Sequence, residues 1–246
     1  MAIFEYGETE IAHLKRVDAT LGKAIEEIGH IKRPVIPDLF ASLVSSIVSQ
    51  QISSKAAATI WNRMLNKLGK VTPQTINAAD VEQIQQCGMS MRKAGYIKEI
   101  AEKVLCGDLN IELLHQLPDD EVCKQLSSLS GIGIWTAEML MTFSMQRPNV
   151  ISWGDMAIHR GLRMLYRHRK IDKTLFQKYK RRYSPYATVA SLYLWAIAGG
   201  ACGLKDCAPL TEAQKAKARK GKAMEKKPVV KQAKDISRNK KSPSLL

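Results

Sequence analysis

Leu126-Ser-Ser-Leu129-Ser-Gly131-Ile132-Gly133-Ile-Trp135-Thr136-Ala137-Glu138 places a Gly-x-Gly turn between two stretches of helical periodicity, and Ser152-Trp153-Gly-Asp155-Met-Ala-Ile-His-Arg160 follows about one helix later. A tight turn running into a helix leaves main-chain N–H groups without internal partners, which makes a ready anion site. The chain has 246 residues and a net charge of +15, so a nucleic-acid phosphate is the anion its charge points to. Asp155 begins the next helical pattern. Asp at such a place ordinarily caps the helix, and a cap also fixes a carboxylate and favours its ionised form. An acid held in this way, close to a bound phosphate, is placed to act on what the phosphate carries. Glu138, on the second hairpin helix, is the competing acid.

Outward from this hairpin the periodicity stays helical. Ile11, Leu14, Val17, Leu21 and Ile25 line one face of a helix predicted over Glu8–Gly29, which a Pro34–Pro37 elbow ends. Further helices are predicted over Asp38–Ser49, from Ser53/Ser54 to Leu68, from Thr72-Pro73, and over Asp80–Cys87, Met91–Leu105, Pro118–Leu126, Ile134–Met145, Asp155–Tyr166, Thr174–Arg182 and Ala187–Ala198. Val, Ile and Thr rarely alternate with polar residues over a strand length. The expectation is an all-α protein of about ten helices joined by short loops.

The length suits one large domain or two small lobes with a core that needs no staples. The 5 Cys are irregularly spaced and read as free thiols of a reducing compartment rather than a disulfide framework. The acidic start of the chain is not a signal peptide. The uncharged stretch between Arg182 and Lys205 contains a run too short for a membrane span. Residues 211–246 carry 12 Lys/Arg against 3 Asp/Glu. This segment reads as disordered or folding on a partner, and serves either DNA attraction or solubility. A second basic run, Arg160 to Arg182, holds ten Lys/Arg and one acid, Asp172; it is read as a DNA-backbone contact against the plainer alternative of a solvated face. The scattered His residues match no zinc spacing.

Leu129, Gly131, Ile132, Gly133, Thr136, Ala137 and Asp155 resemble the motif of the helix-hairpin-helix (HhH-GPD) superfamily of DNA glycosylases. The resemblance covers roughly residues 35–205 and is nearest the 3-methyladenine DNA glycosylase II branch. Bifunctional glycosylase/lyases carry a Schiff-base Lys where this chain has Trp135, and an indole offers no amine nucleophile. Relatives with an iron–sulfur cluster use four C-terminal Cys; here only Cys202 and Cys207 stand in that region, too few for a cluster.

The resemblance implies two helical lobes with a DNA cleft between them. Residues 1–34 form an N-terminal segment packing with the C-terminal lobe, 35–117 a lobe with a wedge loop, 118–210 the hairpin and catalytic lobe, and 211–246 the tail. It implies a monofunctional enzyme that flips an alkylated purine, 3-methyladenine or 7-methylguanine, out of double-stranded DNA and hydrolyses its glycosidic bond. Asp155 would face the sugar cation and orient water. Alkylation makes the base a cationic leaving group, and aromatic faces attract cations. Trp195 is accordingly the stacking candidate, with Trp135 and Trp153 beside it; each has core packing as its alternative. Gly131, Ile132, Gly133 and Thr136 would hold phosphate, with a monovalent cation as a possible bridge. Met91 is the wedge candidate or a buried Met. Arg92, Lys93 and Arg160 would meet phosphates. Gln50 and Gln51 would face the DNA gap or satisfy buried main chain. No other cofactor, no membrane, a monomer, and a cytoplasmic, nucleoid-associated location complete the expectation. The alternatives are a glycosylase for deaminated or oxidised bases, and a non-catalytic DNA-binding module.

Overall fold

Side-chain caps set most of the helix starts. Asp38, Ser53, Thr72, Ser90, Asn110, Asp155 and Asp172 each turn a side-chain oxygen onto an N–H of the first turn, satisfying donors that a helix end leaves open. The computed structural model describes residues 2–209. Among them the order is α1 (Glu8–Val17), α2 (Ala19–Ile28), α3 (Leu39–Ser49), α4 (Ser54–Leu68), α5 (Pro73–Ala78), α6 (Val81–Gln85), α7 (Met91–Cys106), α8 (Ile111–Leu114), α9 (Asp119–Ser127), α10 (Ile134–Phe143), α11 (Met156–Tyr166), α12 (Lys173–Tyr183) and α13 (Ala187–Ala198). The extended chain in this region pairs only as an isolated bridge between Ile3 and Pro34. The fold is all-α, as the periodicity predicts. The basic segment 211–246 lies outside the described residues.

Two expectations need correction. The helix predicted over Glu8–Gly29 is two helices, broken at Asp18, whose backbone is extended (φ −151°, ψ 97°). Asp18 Oδ1 accepts from the N–H groups of Thr20 and Leu21 at 3.1 and 3.0 Å. Its Oδ2 accepts from the Tyr166 hydroxyl at 2.8 Å and from Arg182 at 2.6 Å. The break thus ties the N-terminal helices to α11 and α12, a tertiary reason that apolar periodicity does not carry. The short α8 also falls in a stretch read as loop.

Two apolar cores organise the chain. One gathers side chains from Leu39 to Val150, the other joins Phe4–Val35 to Ile151–Ile197. The hairpin residues Leu126, Leu129, Ile132 and Ala137 belong to the first. Val122 of α9 and Leu140 and Met141 of α10 join side chains of α3 and α7 in that core. The N-terminal segment packs into the second core. Within that core α11 and α13 form the most extensive helix pair, pressed together at Gly161. A Cβ there would lie 2.3 Å from the Leu194 carbonyl oxygen. This crossing fixes the N-terminus of α11 relative to the face of α13 that bears Trp195.

Candidate active site

The hairpin turn is held from three sides. Gly131 has φ +81°, and a Cβ on it would meet the Tyr96 ring at 2.5 Å, so both conformation and close approach demand glycine. Gln50 Nε2 donates to the Gly131 carbonyl at 2.7 Å. Ile132 is buried in the first core; its side chain anchors the turn, and its N–H donates to the Leu129 carbonyl at 3.0 Å. Gly133 starts α10 with no side-chain cap. A Cβ at Gly133 would meet nothing within 4 Å. Packing inside the chain therefore does not exclude a side chain there, while a bare main chain admits close approach from outside. Gly133, Ile134 and Trp135 are exposed and Thr136 half-buried, so the first N–H groups of α10 face outward, the arrangement that binds an anion.

Asp155 caps α11 and is buried, with 7% of its surface exposed. Its Oδ1 accepts from the N–H groups of Ala157 and Ile158 at 2.8 and 3.0 Å. Its Oδ2 accepts from Trp135 Nε1 at 3.0 Å. These three hydrogen bonds hold the carboxylate in one pose, set by α11 and α10 together. Behind it, Ser152 donates to Glu138 Oε2. Burial pushes the Glu138 carboxyl above the usual range, against the Ser152 hydrogen bond and Lys180, with the Asp155 charge adding to the rise.

Asp155 opens onto a cavity of about 550 Å³ whose walls include Trp135, Trp195, Met139, Phe143, Leu192, Ile31 and Arg33. Trp195 lies against Phe143, ring centroids 5.4 Å apart at 33°. Ile31, Phe143, Leu192 and Trp195 belong to the second core or pack against it, α10 adds Trp135 and Met139, and the cavity has the size and mostly apolar lining of a small-molecule site. Asp155, Trp135 and Trp195, named from the sequence, come together here. Trp153 does not. It packs edge-on against His159 (4.6 Å, 61°) and Phe176 (5.1 Å, 79°), because the turn before the α11 cap directs it toward α12. Met139 and Phe143 are one and two helical turns beyond Trp135 and Leu192 nearly one before Trp195, so helical spacing could have found all three. Arg33 and Ile31 carry no such signal.

The remaining candidates are not among the cavity walls. Met91 opens α7 and is 49% exposed, which removes the buried-Met alternative. Gln51 is exposed with φ 59°, a left-handed conformation uncommon for a side-chain-bearing residue. Arg92 is exposed, hydrogen-bonded to the Tyr96 hydroxyl and 5.5 Å from that ring's centre. Lys93 departs from its expected place at a phosphate. Its ammonium donates to the carbonyls of Val48 and Gln50 at 2.9 and 2.6 Å, closing the C-terminus of α3. Burial lowers the Lys93 pKa. Gln50 and Lys93 therefore bind α3, α7 and the hairpin into one unit. Arg160 is exposed, 3.8 Å from Asp206. Arg163 pairs with the same carboxylate through two bonds of 2.8 and 2.7 Å, and Arg182 with Asp18. The other seven cations of the run 160–182 are exposed. Among the described residues no three His, Cys, Asp or Glu come together as metal ligands, and no helix is long and apolar enough to cross a membrane.

This geometry has counterparts. The chain is 33% identical over 192 residues to DNA-3-methyladenine glycosylase 1 of Schizosaccharomyces pombe, covering 74% of this chain and 84% of that protein. Its fold matches the crystal structure of a DNA-3-methyladenine glycosidase from Bacillus halodurans with a TM-score of 0.74 and 38% identity, over 81% of this chain and 93% of the other. The S. pombe 3-methyladenine DNA glycosylase in complex with abasic DNA matches with a TM-score of 0.65 and 30% identity, over 78% and 97%. Residues 44–185 match the model of the HhH-GPD superfamily of base excision DNA repair proteins. The chain, with its uncapped hairpin helix and its buried acid facing an aromatic cavity, belongs to that superfamily.

Proposed function

We propose that the cavity between Trp135 and Trp195 receives a base flipped out of duplex DNA, and that Asp155 is the acid that supports its release. The chain is a DNA-3-methyladenine glycosylase of the base excision type, an N-glycosyl hydrolase. The observation that carries the residue assignment is the pose of Asp155, buried, fixed at both oxygens and turned to the cavity.

Flipping costs unstacking and pairing energy, which hairpin–phosphate contacts and a filled gap offset. The outward N–H groups of α10 hold the backbone; Met91 and Gln51 protrude where a gap would need filling. As the C1′–N bond breaks, its electron pair leaves with the base and positive charge grows on the sugar. Asp155 stabilises that charge and orients water, which adds hydroxide to C1′. A base alkylated at a ring nitrogen departs neutral and the water proton passes to solvent. Trp135 closes off the Schiff-base route, since its nitrogen donates to Asp155 and has no free pair for attack. The reaction as drawn uses water and no cofactor. A monovalent cation at the hairpin would rest on main-chain carbonyls; that of Gly131 already accepts from Gln50, whereas those of Ser130 and Ile132 accept from no described residue.

The test is release of 3-methyladenine and 7-methylguanine from methylated DNA. Wild type should release both, and Asp155→Asn should release neither while binding DNA at least as well. Equal release by the variant would remove Asp155 from the mechanism. Intact DNA binding with no release by wild type would favour the binding-module alternative.

A further inference from the structure

Of the residues lining the cavity, two are charged: Asp155 and Arg33. Arg33 lies between α2 and α3, where its backbone is clamped. The Phe4 N–H donates to the Arg33 carbonyl at 2.8 Å, and Ile36 N–H donates to the Phe143 carbonyl at 3.1 Å. Its guanidinium carbon sits 4.8 Å from the centre of the Phe143 ring, and Phe143 in turn lies tilted against Trp195. Arg33 enters none of the ion pairs between described residues. Arg33 is exposed, and its positive charge lines a cavity whose aromatic walls would otherwise prefer cations.

We propose that Arg33 is a specificity-determining residue, setting the balance between charged and uncharged alkylated purines. The inference rests on the cavity being the base site. Heterolysis moves an electron pair onto the base. A purine alkylated at N3 or N7 begins cationic and ends neutral, so Arg33 repels it when bound and the repulsion fades as the bond breaks. An uncharged adduct begins neutral and departs as an anion, which a guanidinium stabilises by charge and by its planar array of donors. In both cases water gives hydroxide to C1′; for the uncharged adduct the water proton ends on the departing base. Removing the Arg33 charge should therefore lower KM and kcat together for the cationic base and lower kcat/KM for the uncharged one.

The experiment uses two duplexes, one carrying 7-methylguanine and one carrying 1,N6-ethenoadenine, an uncharged alkyl adduct. Wild type, Arg33→Met, which keeps a long side chain over Phe143, and Arg33→Lys, which keeps the charge, are compared in kcat and KM. Arg33→Met should lose at least tenfold in kcat/KM on ethenoadenine, while on 7-methylguanine kcat and KM should fall together. Arg33→Lys should recover most of the lost kcat/KM. Equal losses of kcat/KM on both duplexes, with or without recovery in Arg33→Lys, would reduce Arg33 to a structural residue and overturn the proposal. So would an unchanged ratio, or absence of ethenoadenine release by wild type. Failure of wild type on 7-methylguanine would instead strike the proposed function itself.

Discussion

Gly161→Ala adds one methyl group at the tightest helix crossing in the described chain. The new Cβ would lie 2.3 Å from the Leu194 oxygen, 2.9 Å from its carbonyl carbon and 3.1 Å from its Cα. All three are main-chain atoms of α13, so no side chain can swing aside. Opening the oxygen contact to even 3.0 Å requires the helices to part by about 0.7 Å, and such overpacking costs about 1–3 kcal/mol. Alanine returns about 1 kcal/mol of helix propensity, leaving a net loss of up to about 2 kcal/mol. For a chain of this size Tm should fall by up to roughly 8 °C. The functional loss should be larger in proportion. Asp155 starts α11 and Trp195 directly follows Leu194, so the separation passes between acid and base wall, where misplacement by about 1 Å can cost about a hundredfold. Single-turnover release of 7-methylguanine should slow at least tenfold, while affinity for undamaged DNA stays constant, because the hairpin is built on the other core. A variant as stable and as fast as wild type would show that Gly161 does not set this spacing.

Trp135→Phe keeps a ring in the cavity and removes the donor to Asp155 Oδ2. A hydrogen bond to a charged group contributes about 1.5–3 kcal/mol, so kcat should fall about ten- to a hundredfold with little change in KM; a change confined to KM would contradict the positioning role. Glu138→Gln tests the buried neighbour. Burial raises the folded-state pKa of Glu138, so its contribution to stability is fully present below the ordinary carboxylate value and is lost as pH rises through the raised one. The amide variant should therefore melt a few degrees higher than wild type at pH 7, and the difference should vanish toward pH 4. A difference that grows on acidification would reverse this sign.

Local chemistry was legible where one residue decides one feature. Ser53, Thr72 and Asp155 announced their helices because a cap acts within a single turn. Gly131 and Gly133 announced the hairpin, and Asp155, Trp135 and Trp195 the cavity. What the chain concealed is tertiary. Asp18 breaks a continuous apolar stripe because its carboxylate is bound by Tyr166 and Arg182, far along the chain. Trp153 lies two residues from Asp155 yet points to Phe176, since a turn separates neighbours that a helix would keep together. Lys93 looks like one more surface cation, but α3 ends within its reach. Arg33 meets Phe143 across more than a hundred residues, and no periodicity links such a pair.

The division of the cores bears on how the chain folds as it is made. Every member of the first core lies between Leu39 and Val150, so the hairpin lobe has all its apolar partners once that stretch has left the ribosome. The second core joins Phe4–Val35 to residues as late as Ile197. Its first helices must wait for its last, with Leu14 and Leu21 uncovered meanwhile. Domains tend to form in order of synthesis, and distant contacts close slowly. The DNA-gripping half should therefore be complete before the damaged-base cavity exists, and a nascent chain arrested before α13 should bind DNA without any capacity to excise a base.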